Sequence, residues 1–236
     1  MSDDPERPAP RTVVVERSLN PMRRTIANRL QESYQNAVHV TASRDIDAEP
    51  LLAAADALDE DVSLFDVLLR ALSDALQEHP AFNATFEDGT HRLYEEHNVG
   101  VAVDIDAGLV TPVIADVGAK SVREIAAERR RLTELVQQGE YEMNDLRGST
   151  ITVTNLGVLD VDSFTPVINP PEVAILGVGR IRERARPADN GVEFRRQLTL
   201  DLSFDHRVVD GADAARFLET LAEYVENAAQ YASGSE

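Results

Sequence analysis

SFDHRVVDGAD, Ser203 to Asp213, stands where a two-residue apolar alternation gives way to a helical one, and it places a histidine, an arginine and three aspartates in eleven residues. Upstream, Leu198, Leu200, Leu202 and Phe204 occupy one phase of a strand. His206 continues that phase, so its imidazole is expected on the buried side. A lone histidine in an apolar phase is ordinarily a bonded core residue. Here Asp205 and Arg207 flank it, Asp210 lies four residues on, and Gly211 opens a helix built on Phe217, Leu218, Leu221 and Val225. Strand ends of this kind are where a rigid scaffold presents reactive groups. A neutral imidazole, with an ordinary pKa of about 6.5, suits removal of a proton from a thiol of pKa about 8.5 or from a hydroxyl. Ser203 falls on the opposite face of the strand, so chemistry at His206 requires a nucleophile brought by a substrate.

The 236 residues are 43% apolar, enough for a packed core. The opening MSDDPERPAPR, residues 1–11, reads as a disordered polar arm, the opposite of a basic leader. No run of 18 apolar residues occurs, so a soluble, cytoplasmic protein without a membrane partner is expected. Zero cysteines exclude a disulfide framework, a thiolate metal site and a cysteine nucleophile. A net charge of -19 repels nucleic acid, which is not expected as a partner. Of 23 basic residues only Lys120 is lysine, against 42 Asp and Glu. That balance resembles halophilic proteins, whose self-repulsion is screened at ~1 M salt by a Debye length of about 3 Å. Loss of structure on desalting is the expected consequence.

Asn20 as N-cap and Pro21 at the first helical position predict a helix carrying Met22, Ile26 and Leu30 on one stripe. VHVTASRDID puts Val38, Val40, Ala42 and Ile46 in one phase of a half-buried strand, followed by a short helix from about Glu49 to Leu58. The clearest helix is SLFDVLLRALSDALQEHP, capped by Ser63 and stopped at His79-Pro80. FNATF, Asp88-Gly89 and HRLYE form a hairpin. NVGVAVDI and LVTPVIADV are neighbouring strands separated by DAG. Ser121 with Glu124 is a capping box for a second long helix ending near Gly139. The last third is strand-rich: TITVTNL, the loop GVLDVDSFTPVINPP, EVAILGVGRIRE and RQLTLDLSF, before the final helix. The expected class is α/β in the broad sense, an α+β two-layer fold with a central mixed sheet covered by helices.

His206-x-x-x-Asp210-Gly211 within DHRVVDGADAARFL is preceded, in chain order, by HPAFNATF, NVGVAVDIDAGLVTPVI, ITVTNLG and FTPVINPPEVAILGVGRI. Together these segments resemble the catalytic domain of the dihydrolipoamide acyltransferase component of 2-oxoacid dehydrogenase complexes, from about Val13 to about Val225. The resemblance implies a chloramphenicol-acetyltransferase-like fold, a homotrimer, and an active site in a channel at the trimer interface. Coenzyme A enters such a channel from one end and the lipoyl group from the other. The family's general base falls on His206. The serine hydroxyl that usually donates to the tetrahedral oxyanion falls on Thr154, where threonine keeps the donor and adds a methyl and a stiffer χ1. Asp210 matches a family Asp or Asn and is expected to orient rather than to transfer protons. Acyl then passes directly between two bound thiols, in keeping with a chain that has no cysteine.

The remaining candidates read more simply. His39, His79, His91 and His97 show no ligand spacing, so no metal is expected. Gly100, Gly108, Gly177 and Gly179 do not form a phosphate-cradling loop and read as strand and turn glycines. Arg129, Arg130 and Arg131 read as a solvated helix face. Asn155 and Gly157 either line the substrate channel or make a tight strand exit.

Complex-forming members of the family carry an upstream lipoyl domain with a modified lysine. Lys120 precedes a helix capping box and not a lipoyl-type hairpin, so the lipoyl group is expected on another chain, with other 2-oxoacid dehydrogenase components as candidate partners. The starting methionine and the arm leading into Val13 favour a natural short chain over an excised core. The catalytic domain is expected over 12–229 and a polar tail over 230–236. VENAAQYASGSE has Tyr231 as its only large apolar anchor after Val225, which favours a trimer over a cubic shell. Two alternatives remain: a non-catalytic trimeric scaffold, and an acyltransferase of the same fold with a non-thiol acceptor.

Overall fold

Leu198, Leu200, Leu202 and Phe204 are all buried, as their alternation predicts, and so is every residue between them. The strand that carries them is an inner strand of a sheet, next to one edge, and is covered on both faces. The computed structural model describes residues 11–58, 60–105, 108–188 and 191–233; the arm expected over 1–11 falls outside them apart from Arg11, and 234–236 of the expected tail do too.

In chain order the elements are α1 (Pro21–Asn36), β1 (His39–Asp47), α2 (Glu49–Leu58), α3 (Leu64–Glu78), β2 (Ala84–Glu87), β3 (Thr90–Leu93), β4 (Val99–Val101), β5 (Val103–Ile105), β6 (Gly108–Val110), β7 (Val113–Ile114), α4 (Val122–Gln138), β8 (Ile151–Asn155), β9 (Ala174–Val178), β10 (Arg182–Ala188), β11 (Gly191–Asp205), α5 (Gly211–Glu226) and α6 (Ala229–Ser233). The main sheet runs β1-β11-β9-β8-β4-β7, with β10 on β11. Strands β4, β8 and β9 are parallel and the other pairings antiparallel, so the sheet is mixed. Small hairpins β2-β3 and β5-β6 stand apart.

Local sequence explains the ends of the helices. The Asn20 carboxamide accepts the Arg23 N–H at 2.8 Å, with Pro21 at the first helical position. The Ser121 N–H donates to Glu124 at 2.8 Å, and Gly139, at φ 72°, closes α4 in the left-handed region that glycine occupies without a Cβ clash. Asp88 and Gly89, both at positive φ, turn β2 into β3.

Helices α2, α3 and α5 bury the apolar face of β11. There the Phe82 ring lies 4.7 Å from that of Phe217 and 6.5 Å from that of Phe204, joining helix, turn and strand. The opposite face is buried and polar. Thr41 bonds Ser203 at 2.7 Å, and the Asp201 carboxylate accepts from Ser43 at 2.5 Å, Ser163 at 2.9 Å and the Phe164 N–H at 3.0 Å. Buried polar groups persist where they are bonded in this way. The loop between β8 and β9 supplies the cover, and Phe164 fits against the strand because Gly177 has no Cβ, which would stand 2.9 Å from the ring.

Three expectations need correction. The Met22, Ile26, Leu30 stripe of α1 is at best half-buried, with Leu30 exposed, as are Val38, just before β1, and Val40 of β1; they lie at the sheet edge, beyond the helices that cover β11. EVAILGVGRIRE is two strands rather than one. Gly179 approaches the Asp162 carbonyl so closely that a Cβ would lie 2.1 Å from it, and the chain steps aside there before β10 begins. Residues 230–233, expected as polar tail, belong to α6: Tyr231 packs against the core and donates to Asp74 at 2.7 Å, because Ala228 is buried and turns the chain back.

Candidate active site at the end of β11

His206 is the first residue beyond β11. Its N–H donates to the Val38 carbonyl at 2.9 Å, extending the β1 register by one residue. The ring leans on Phe204, centroids 5.7 Å apart, and Nδ1 lies 3.7 Å from an Asp210 carboxylate oxygen. Contrary to the buried orientation expected from the alternation, the His206 side chain is 39% exposed in a single chain. The strand ends one residue before it, and the helical cover ends as well. Asp210, 80% exposed, caps α5, and its N–H donates to Asp213 at 3.1 Å.

Thr154 belongs to β8 and is nearly buried, 9% exposed. Asn155 follows it, and its side-chain oxygen accepts the Gly157 N–H at 2.9 Å. Gly157 packs backbone to backbone on Gly179; a Cβ would lie 2.5 Å from the Gly179 oxygen. Both residues form a tight exit from β8, which holds the backbone just past Thr154.

Strand register determines whether Thr154 and His206 meet. Thr154 pairs with Gly177, and Gly177 with Asp201, so Thr154 shares the polar face. His206 follows the Leu202–Phe204 phase, on the helix face. It is five residues along β11 from Asp201 and two strands across from β8. At about 3.4 Å per residue and 4.8 Å per strand, the two backbones stand on the order of 20 Å apart. One chain cannot place both groups on one reacting carbon.

The other histidines are engaged: His39 with Ala37 and Ser33, His79 with Thr220 at 2.9 Å, His91 with the Ala81 carbonyl at 3.2 Å, and His97 with Ser73 at 2.7 Å. Burial pulls the His97 pKa below its ordinary value, against the opposing pull of Asp116. Among the described residues no group of three His, Cys, Asp or Glu side chains is arranged to hold a metal ion, and no helix is long and apolar enough to cross a membrane. The Arg129–Arg131 face is less solvated than expected: Arg129 makes two bonds to the fully buried Asp66, at 2.5 and 3.0 Å, while Arg130 and Arg131 pair with Asp61 and Glu128.

Two features were missed in the sequence. Asp205 and Arg207, noted there only as flanking charges, form a closed pair around His206. Glu172, near the end of the loop that joins β8 to β9, is buried and held by Ser149 and by Asn169 at 2.9 Å, with its second oxygen unbonded. Burial raises its pKa to about 7 against those bonds. An acidic residue after Pro-Pro carried no sequence signal of burial.

The model of the 2-oxoacid dehydrogenases acyltransferase (catalytic domain) family matches residues 13–232. The chain is 33% identical over 215 residues to the dihydrolipoyllysine-residue acetyltransferase component of the pyruvate dehydrogenase complex of Zymomonas mobilis, covering 88% of this chain and 49% of the relative. It thus spans about half the length of the curated relatives it matches. Among solved structures, a probable dihydrolipoamide acetyltransferase from Listeria monocytogenes superposes with a TM-score of 0.88 at 27% identity, covering 94% of this chain and 97% of the other. The cubic core of the pyruvate dehydrogenase multienzyme complex gives 0.86 at 30% identity, covering 96% and 99%. A chloramphenicol acetyltransferase, at 0.56 and 14% identity over 84% of this chain and 94% of the other, shares the fold alone. The chain belongs to the 2-oxoacid dehydrogenase acyltransferase family, as its catalytic domain, and has the chloramphenicol-acetyltransferase-like fold.

Proposed function

We propose that the chain moves an acyl group between coenzyme A and dihydrolipoamide, in a site that His206 of one chain and Thr154 of a neighbouring chain complete together. The observation that carries this reading is the register separation: the two groups with the right chemistry lie on opposite faces of one sheet, too far apart for one chain to join them. Exposed Leu30 and Tyr34 on α1, Val38 between α1 and β1, and Val40 on β1 give the His206 edge the apolar character of a subunit contact. A homotrimer built on that edge repeats the site three times.

In this reading Nδ1 of His206 faces Asp210, and Nε2 takes the proton of the incoming thiol. The thiolate attacks the thioester carbonyl, and the resulting oxyanion accepts a hydrogen bond from Thr154 Oγ1. Collapse breaks the original C–S bond, and the departing thiolate regains a proton from the imidazolium. Asp210 supports the imidazolium and transfers no proton. Asn155 and Gly157 set the position of Thr154 and border the substrate channel. No step calls on a metal.

Coenzyme A is a substrate here rather than a resident group, and the lipoyl group is supplied by another chain, such as the lipoyl domain of a 2-oxoacid dehydrogenase component. Lys120 is engaged at the start of α4, its ammonium on the Ala115 carbonyl at 2.5 Å. The working unit is the trimer rather than a cubic shell, with Tyr231 docked on its own chain supporting the smaller assembly. The surface charge supports a halophilic, cytoplasmic setting.

The test is acyl transfer from acetyl-, propionyl- or branched acyl-CoA to free dihydrolipoamide in high salt, for wild type and His206→Ala. Turnover abolished by the substitution upholds the reading. A folded oligomer inactive with every acyl chain points to a scaffold, and turnover only with a hydroxyl or amine acceptor points to a different acyltransferase.

A further inference from the structure

The residues before and after His206 are bonded to each other across it. The Asp205 carboxylate accepts the Arg207 N–H at 3.1 Å, Arg207 Nε at 2.9 and 3.0 Å, and Arg207 Nη2 at 2.5 Å. The same carboxylate accepts the Val38 N–H at 3.2 Å, while the Asp205 N–H donates to the Val173 carbonyl at 2.9 Å. The Arg207 guanidinium lies 4.8 Å from the centre of the Phe86 ring on β2. Burial works against ionisation of Asp205, which is 2% exposed, but the bonds from Arg207 and Val38 outweigh it, and the pKa lies below the ordinary carboxylate value.

The bond from the Arg207 N–H to the Asp205 side chain closes a ring that contains the whole His206 backbone, and the guanidinium bonds close a second one around it. Rotation about φ or ψ of His206 breaks at least one charge-assisted bond in either ring. The ring is anchored on three sides, to Val38 just before β1, to Val173 just before β9 and to β2 through Phe86. Among the described residues His206 itself makes one backbone bond and stands partly exposed, with Asp210 at 3.7 Å beside the polar edge of its ring. The entries to two strands and an aromatic plate thus support a side chain that lies outside the strand.

We infer that Asp205 and Arg207 are positioning residues for the reaction: their bonded pair fixes the backbone of His206 so that the imidazole meets the substrate thiol at a set place across the subunit boundary. The inference rests on His206 acting as the base. Neither residue touches substrate. Asp205 acts by holding the peptide on each side of the histidine, and Arg207 by completing the carboxylate's bonds and tying the pair to β2. Because the substrate positions are set by other residues, loss of the clamp acts on turnover and leaves thiol binding nearly unchanged.

The experiment measures kcat and KM for acyl-CoA and dihydrolipoamide in high salt, with oligomeric state and melting temperature recorded, for wild type, His206→Ala, Asp205→Asn, Arg207→Met and Arg207→Lys. Asp205→Asn and Arg207→Met are expected to lower kcat about 10- to 100-fold, with each KM within about twofold of wild type, since small misplacements of a reacting group cost rate of this order. Arg207→Lys, which restores one charged bond but not the planar fork, recovers part of the loss. If Asp205→Asn does not fold, the two Arg207 variants decide alone. Arg207→Met with wild-type kcat, beside an inactive His206→Ala, overturns the clamp and leaves the base in place. Parallel losses in kcat and affinity, with no recovery in Arg207→Lys, also overturn it. An active His206→Ala overturns the clamp together with the base it serves.

Discussion

Thr154 and His206 lie on opposite faces of the same sheet, separated by two strands and by the five residues from Asp201 to His206, and it is on this separation that the proposal of a site shared between chains rests. Each residue is held by its own local device: Thr154 by a strand exit in which Asn155 bonds Gly157, His206 by the register with Val38. Neither device brings the two together within a chain.

Thr154 is expected to act through its hydroxyl. Thr154→Ser keeps the donor and retains kcat within severalfold, whereas Thr154→Val keeps the shape and removes the donor, lowering kcat by about 10²- to 10³-fold. Steady-state kinetics at saturating coenzyme A thioester decide this; equal rates for Ser and Val remove the oxyanion role.

The aromatic cluster below the histidine carries stability rather than chemistry. Phe82→Ala removes a fully buried ring from between Phe204 and Phe217 and is expected to cost about 3–5 kcal/mol in denaturant unfolding. A loss under about 1 kcal/mol would mean that the contact reorganises without a cavity.

Much of this arrangement was legible beforehand, because caps and periodicity are local. The ends of α2 and α3 follow from Glu49, Ser63 and His79-Pro80, and the β2–β3 turn follows from Asp88-Gly89. What escaped depends on neighbours distant in sequence. The polar phase of β11 is buried because Ser163 and Phe164, about forty residues away, bond Asp201. His206 is exposed because the cover ends at Phe204, and Arg129 points inward because Asp66 needs a partner. The candidate residues His206 and Thr154 were picked out by their motifs, whereas the distance between them required the strand order.

Glu172 makes stability depend on pH. Burial raises its pKa in the folded chain to about 7, above the ordinary 4.5, so the folded state holds a proton that the unfolded chain gives up. The sign follows: the site's favourable contribution is fully present below about pH 4.5, falls as pH rises between the two values and is gone above about 7, a change of a few kcal/mol. Glu172→Gln abolishes this dependence, so the variant gains stability relative to wild type between pH 5 and 8 in urea titrations. A constant difference across that range contradicts the account.

Salt should act through the net charge of -19. Lowering ionic strength from about 2 M to about 0.1 M lengthens the screening distance severalfold, so the melting temperature and any oligomeric fraction are expected to fall together. A melting temperature unchanged over that range rules out salt dependence of the fold.

The most direct test of a shared site is complementation between two inactive variants, His206→Ala and Thr154→Val, prepared separately and then dissociated and reassembled together. A site that takes its base from one chain and its hydroxyl from a neighbour is intact in about a quarter of the contacts formed by random mixing, so about a quarter of wild-type turnover is expected to return. Mixed oligomers that form, shown by mass, yet stay as inactive as their parents would contradict the account, because both groups would then have to come from the same chain.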